Sequence, residues 1–244
     1  MTVLKKILDQ RIGDIAARDS RKADVLIKYG IDFYCNGKQT LSQAIQSKGL
    51  ISDQITEQLA LYNDADILPS RNMAYWNIGF LCEFVVQTHH NYVKNTATML
   101  KEYGEIAVKN HHKNHPELQG IHEMLKFVLD EMHVHMEKEE TEIFPAMKKL
   151  WNMYVHPEKI NLKDSSAKKI LNGFVDLEKE HAAVWKQIET IKRMTHGYSA
   201  PNDACVTYQI YITKLKEFED DLMNHVHIEN NILFPKVLAL ASKF

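Results

Sequence analysis

Two stretches of the chain pair a histidine with a glutamate four residues later and then add Phe-Pro. "HMEKEETEIFP" contributes His135, Glu139, Phe144 and Pro145, and "HVHIENNILFP" contributes His225, Glu229, Phe234 and Pro235. On an α-helix, residues i and i+4 lie one turn apart on the same face, so each imidazole and carboxylate can address one point. A buried carboxylate is costly, and two facing each other cost more. No lysine or arginine shares the apolar seams that carry Glu139 and Glu229, so the charge that balances them is expected to be a metal cation.

The order of histidines repeats. His89 stands 46 residues before His135, and His181 stands 44 before His225. Each half of the pattern is therefore a helix with one histidine followed by a helix with His-x-x-x-Glu. Four imidazoles and two carboxylates exceed the four ligands of a tetrahedral zinc. They suit two ions, each held by two histidines, with Glu139 and Glu229 bridging and a solvent-derived oxygen shared. Nitrogen and oxygen donors without thiolate admit iron, manganese or zinc, and a carboxylate-bridged pair inside a bundle favours iron. A lone core histidine is more often structural than a ligand; four at matching depth with a duplicated spacing reverse that reading. His90 lies about 100° away from the face His89 occupies, so His89 is the expected ligand.

Helices must position these groups, and four long segments carry apolar residues alternating by three and four. Their seams run Ile78, Cys82, Val85, His89, Tyr92, Thr96, Met99; Ile121, Leu125, Val128, Met132, His135, Glu139, Glu142; Ile170, Phe174, Leu177, His181, Val184, Ile188, Ile191; and Tyr208, Tyr211, Leu215, Phe218, Leu222, His225, Glu229, Ile232. The expectation is an all-α fold: an antiparallel four-helix bundle over 73–244, its helices joined by loops of roughly 15 to 25 residues. The Phe-Pro pairs read as a core plug and a kink or stop. Seam tyrosines Tyr92, Tyr208 and Tyr211 read as packing.

Residues 1–62 read as a small helical domain. Gly30 is a C-cap, Thr40 caps a helix ending at Gly49, and Ser52 caps another. The polar, Pro-containing stretch 63–72 reads as a linker.

The remaining composition excludes more than it suggests. Only 9 Gly and 6 Pro in 244 residues favour helices, and a net charge of -2 gives no general pull toward nucleic acid or an acidic membrane. The N-terminus lacks a secretory apolar stretch, and no apolar run is long enough for a transmembrane helix. Three cysteines without a C-x-x-C pair point to no disulfide framework and to the reducing cytoplasm.

The twin H-x-x-x-E motifs, each followed by E-x-x-x-x-F-P, resemble those of hemerythrin-like di-iron bundles. Together with "LEKEHAAVW" and the N-terminal "YGIDFYCNGKQTLSQA", they resemble more specifically the Repair of Iron Centers family, over nearly the whole chain. The resemblance implies two non-haem iron ions, oxo-bridged, in a cytoplasmic protein. It implies repair of iron–sulfur clusters damaged by nitric oxide or oxidants, with iron donation favoured and damaged iron–sulfur proteins as partners. Nitric oxide or oxygen would be the small ligand, and a homodimer through the N-terminal domain is open. By position it makes His89, His135, His181 and His225 ligands and Glu139 and Glu229 bridges, with Glu131 and Glu180 as acidic neighbours for proton or iron passage. Two departures matter. Trp185 stands where an oxygen carrier's fifth histidine would be, which argues against reversible oxygen storage. Tyr34 precedes Cys35 where the family often has adjacent cysteines, which argues against a local dithiol. The rivals are a di-iron nitric oxide reductase or peroxidase, and an oxygen or nitric oxide sensor.

Overall fold

A computed structural model describes residues 7–62, 72–156 and 166–243, with side chains omitted for 166–172. The expected linker lies, Asn72 apart, outside the described residues. Among the described residues the secondary structure is helical, with one isolated antiparallel bridge between Arg11 and Thr40. No described helix is long and apolar enough to cross a membrane. The chain divides into two compact units, one formed by the described parts of Met1–Leu81 with Val226–Phe244, the other by Cys82–His225.

In the first unit four short helices, α1 (Ile12–Arg18), α2 (Ser20–Lys28), α3 (Leu41–Ser47) and α4 (Ser52–Ala60), close around Ile12, Leu26, Phe33, Leu41, Ile55 and Leu59. Burying each of these fully stabilises the fold by about 1.5–3 kcal/mol. Helix α3 starts in a full capping box: Thr40 Oγ1 accepts from Gln43 N–H and Gln43 Oε1 accepts from Thr40 N–H. Gly30 ends α2 with φ 65°, and the Ile31 N–H closes back onto Leu26 O. Ser52 is the first residue of α4 rather than its cap, which is Ile51.

Asp19 caps α2 instead, accepting at 3.0 Å from Arg21 N–H while the Arg21 guanidinium lies 2.7 Å from its other oxygen. Burial pushes the Asp19 carboxyl up, but the hydrogen bonds and charge of Arg21 together hold it below its ordinary value of 3.8. A depressed folded-state value means stabilisation that is present above the unfolded value and lost as pH falls through the folded one. Asp19→Asn keeps the cap and removes the charge. It is expected to lower stability by about 1 kcal/mol at pH 7, discounted because Arg21 is partly exposed. Melting curves from pH 7 downward check this: the difference from the parent should shrink as pH falls below 3.8 and through the folded-state value.

The bundle's long elements are α5 (Ile78–Val85) running on into α6 (Asn91–His111), α7 (Glu117–Lys138) into α8 (Phe144–Val155), α9 (Ser166–Met194), and α10 (Val206–Ile228) into α11 (Phe234–Ala241). Their described residues from Cys82 to His225 make up the second unit, and those up to Leu81 and from Val226 on belong to the first. Helix α7 packs against α6 and α9. Leu81, Leu125, Val128, Leu177, Tyr211 and Phe218 are fully buried. The connections are shorter than expected, at 112–116 and 195–205, because the helices run further than the seams suggested.

Three of these runs are interrupted by a five-residue π-turn: Val86–His90, Glu139–Ile143 and Glu229–Leu233. In each the next N–H reaches back five residues, Asn91 to Val86, Phe144 to Glu139 and Phe234 to Glu229. Pro145 and Pro235 therefore do not stop their helices. Each sits in the first turn after a π-turn, where its missing N–H is tolerated. The extra residue shifts the phase of the helix beyond it. After the first π-turn the buried positions are Val93, Thr96, Leu100, Gly104 and Ala107, not Tyr92 and Met99. After the second, Ile143 is buried and Glu142 is exposed. Helix α9 has no π-turn, and Phe174, Leu177, His181, Val184, Ile188 and Ile191 are all buried as expected.

Candidate metal centre

Two groups of four donors converge in the bundle, His90, Glu139, His225 and Glu229, and His135, Glu139, His181 and Glu229. In each group one ligand atom from every residue lies within 4.8 Å of the others. Glu229 follows His225 by one turn, directly after the α-helical stretch Val206–Ile228 and as the first residue of the π-turn, so α geometry up to it aligns the two. All six side chains are buried, with His90, Glu139, His225 and Glu229 at 0 % exposure.

The inner nitrogens face one another. His90 Nε2 is 3.3 Å from His225 Nε2, and His181 Nε2 is 3.0 Å from His135 Nε2. Glu139 Oε2 stands between the groups, 3.3 Å from His90 Nε2 and 3.4 Å from His135 Nε2. One carboxylate thus addresses an imidazole of each group, as a bridging ligand must.

Two outer carboxylates hold the imidazoles from behind. Glu140 lies 2.7 Å from His90 Nδ1 and also takes the Lys94 ammonium at 2.7 Å. Glu180 lies 2.7 Å from His135 Nδ1 and takes Lys138 at 2.8 Å. A carboxylate fixes the proton on Nδ1 and leaves the Nε2 lone pair pointing inward, which is the arrangement of a metal-ligating histidine. The His135 hydrogen bond, assisted by Lys138 against the opposing effect of burial, brings the Glu180 carboxyl down to about 2. For Glu140 burial acts upward, but Lys94 and His90 together hold it below the ordinary range. The donor set, its convergence and its outer partners therefore fit a non-haem metal pair.

The structure brings together His135, Glu139, His181, His225 and Glu229 as the sequence pattern anticipates. It does not bring His89 to them. His89 is one residue out of phase because the π-turn at Val86–His90 adds a residue after Val85, and His90 takes the inward place. His89 instead meets Asp221 through Nδ1 at 2.9 Å, and its ring stacks on that of His225 at 5.6 Å. Glu180 is beside the site through His135, whereas Glu131 is exposed and no hydrogen bond or ion pair joins it to the site. Trp185, one turn after His181, is buried. Sequence reasoning weighs His90 and prefers His89, and it misses Glu140, Lys94 and Asp221. Nothing in "EKEETE" singles out Glu140, and only the fold shows which histidine it meets.

A model of the hemerythrin HHE cation-binding domain matches residues 84–237. The chain belongs to the hemerythrin family. Residues 8–62 match a second family model, a domain of unknown function named ScdA_N. This hemerythrin-family chain is also similar to proteins curated as iron-sulfur cluster repair protein YtfE. The Dickeya chrysanthemi protein is 28% identical over 232 residues, 94% of this chain and 97% of its own. The Pectobacterium carotovorum and Escherichia coli O81 proteins are 28% identical over 230 and 236 residues, again covering 97% of their length. A hemerythrin-like fold with these buried His/Glu groups fits a non-haem di-iron site.

Proposed function

We propose that the chain holds two non-haem irons with a shared oxygen bridge and repairs iron–sulfur clusters damaged by nitric oxide or oxidants, acting as an iron donor. His90 and His225 would hold one ion, His135 and His181 the other, with Glu139 and Glu229 shared. The observation that carries this is the pair of donor groups meeting at two common, fully buried carboxylates. The similarity to YtfE repair proteins over almost the whole chain supports the same reading.

When bound, the iron pair supplies redox capacity and open coordination for a small ligand. The protein's own part is to keep the cargo loosely enough held to give up. Imidazole and carboxylate bind iron less firmly than the thiolate and sulfide of a cluster, so transfer toward a cluster protein runs downhill. Glu140 and Glu180 orient His90 and His135, and Lys94 and Lys138 limit the negative charge that builds up around the site. Damaged iron–sulfur proteins are then the partners, and nitric oxide or oxygen the small ligand.

The test pairs iron-loaded protein with a cluster protein whose cluster nitric oxide has destroyed, in the presence of sulfide and a thiol reductant. Iron leaving this chain in proportion to cluster regained is the expected result. Catalytic consumption of nitric oxide with both irons retained would instead establish a reductase. Reversible ligand binding with neither iron loss nor turnover would establish a sensor.

A further inference from the structure

Directly after Glu229 come Asn230 and Asn231, and both amides are gripped by the N-terminal segments of the same compact unit. Asn231 Nδ2 donates to Phe33 O at 3.0 Å and lies 3.1 Å from His227 Nδ1; Asn230 Nδ2 donates to Tyr34 O at 3.1 Å. The Phe33 ring meets His227 edge-on at 4.9 Å. Asn231 Oδ1 is wedged between two glycines. A methyl on Gly13 would stand 2.1 Å from it, and one on Gly37 2.0 Å. The glycines are themselves tied, the Gly13 N–H donating to Gly37 O at 3.0 Å. Neither glycine has a positive φ, so what requires glycine is close approach and not the backbone conformation: of the Asn231 amide at both, and at Gly37 also of the Phe33 carbonyl, 2.6 Å from where a methyl would stand.

This grip falls inside the π-turn that begins at Glu229. A π-turn is a strained single insertion; relaxing it to α-helix would rotate one side against the other by about 100°. An amide anchored two residues past Glu229 on four partners resists that rotation. We propose that Asn231, wedged between Gly13 and Gly37, is a positioning residue that holds the π-turn in the register which aims Glu229 at the metal pair. Seating of the loop 33–37 and metal binding are then one linked equilibrium. This rests on the metal-site reading above and adds to it that a remote helix start controls iron affinity.

Linkage makes the effect reciprocal: whatever factor the wedge adds to iron affinity, iron adds to the closure of the wedge. Ferrous iron affinity is measured on the full chain by competition with a chromophoric chelator, for the parent, Gly13→Ala, Asn231→Ala and the double variant. Losing an outer support of a metal ligand costs about 10- to 100-fold in affinity, and about 10-fold is expected for each single change. The double variant should bind little more weakly than Asn231→Ala alone, because the methyl at 13 acts chiefly by displacing the Asn231 amide, its other close neighbour being Gly37 Cα at 3.0 Å. In the parent, hydrogen exchange of the Gly13 amide should slow when iron binds, and in Asn231→Ala that dependence should disappear. The second readout stands even where Gly13→Ala folds poorly, which far-ultraviolet circular dichroism reports. Parent-like iron affinity in Asn231→Ala, fully additive losses, or Gly13 exchange indifferent to iron overturns the proposal while leaving the metal site intact. A parent chain that takes up no iron overturns both.

Discussion

Replacing both Glu139 and Glu229 by leucine is expected to abolish iron binding and to make the metal-free protein more stable. Both carboxylates are fully buried and serve both donor groups, so without them each group is left with two imidazoles. The stability gain arises from the same burial. Two neighbouring carboxylates in a low-dielectric core oppose folding unless a cation sits between them, and leucine of similar length removes that opposition. Exchanging buried charged groups for well-packed apolar ones commonly gains about 1–4 kcal/mol. Iron-loaded parent should melt above its own metal-free form, because a ligand bound only to the folded state stabilises it. Elemental analysis and melting of the metal-free proteins decide the matter. Two irons in the double variant would remove these residues as bridges, and a lower melting point for its metal-free form would show the carboxylates to be structural.

The carboxylates were legible in the sequence because their helices keep α periodicity up to them. From Ile121 to Glu139 and from Tyr208 to Glu229 the seam positions steadily alternate by three and four, and all of them are buried. Helix α9, without a π-turn, was legible throughout its described side chains. Local capping chemistry was equally readable at Gly30 and Thr40, where a single residue type satisfies the helix end. What could not be read is where the ladder gains a residue. Two of the π-turns precede a proline, but Pro145 and Pro235 read in the sequence as a kink or stop, since a missing N–H argues for interruption and not for an i→i−5 bond. The first π-turn, "VQTHH", has no proline near it, and nothing in its composition announces it. The outer carboxylates were illegible for a different reason. Glu140 and Asp221 meet imidazoles 50 and 132 residues away, a pairing only tertiary structure specifies.

The adjacent histidines provide the sharpest contrast. His90→Ala is expected to empty one of the two positions, leaving about one iron per chain or an affinity lowered at least 100-fold there, while His89→Ala keeps both irons. His90 Nε2 points at His225 and Glu139, and its Nδ1 is held by Glu140. His89 turns its Nδ1 toward Asp221, away from the shared carboxylates. Removing His89 takes the hydrogen-bond partner from a carboxylate only 18% exposed, which costs about 1–3 kcal/mol of stability. The two variants should therefore separate cleanly, one losing metal and the other losing stability. Iron content per chain, measured beside a thermal melt, reads both at once. If His89→Ala lost the iron and His90→Ala kept it, the π-turn at Val86–His90 would not exist in solution and the helix would run in uninterrupted α register. The contrast thus tests a single inserted residue, which decides which of two adjacent histidines faces the shared carboxylates.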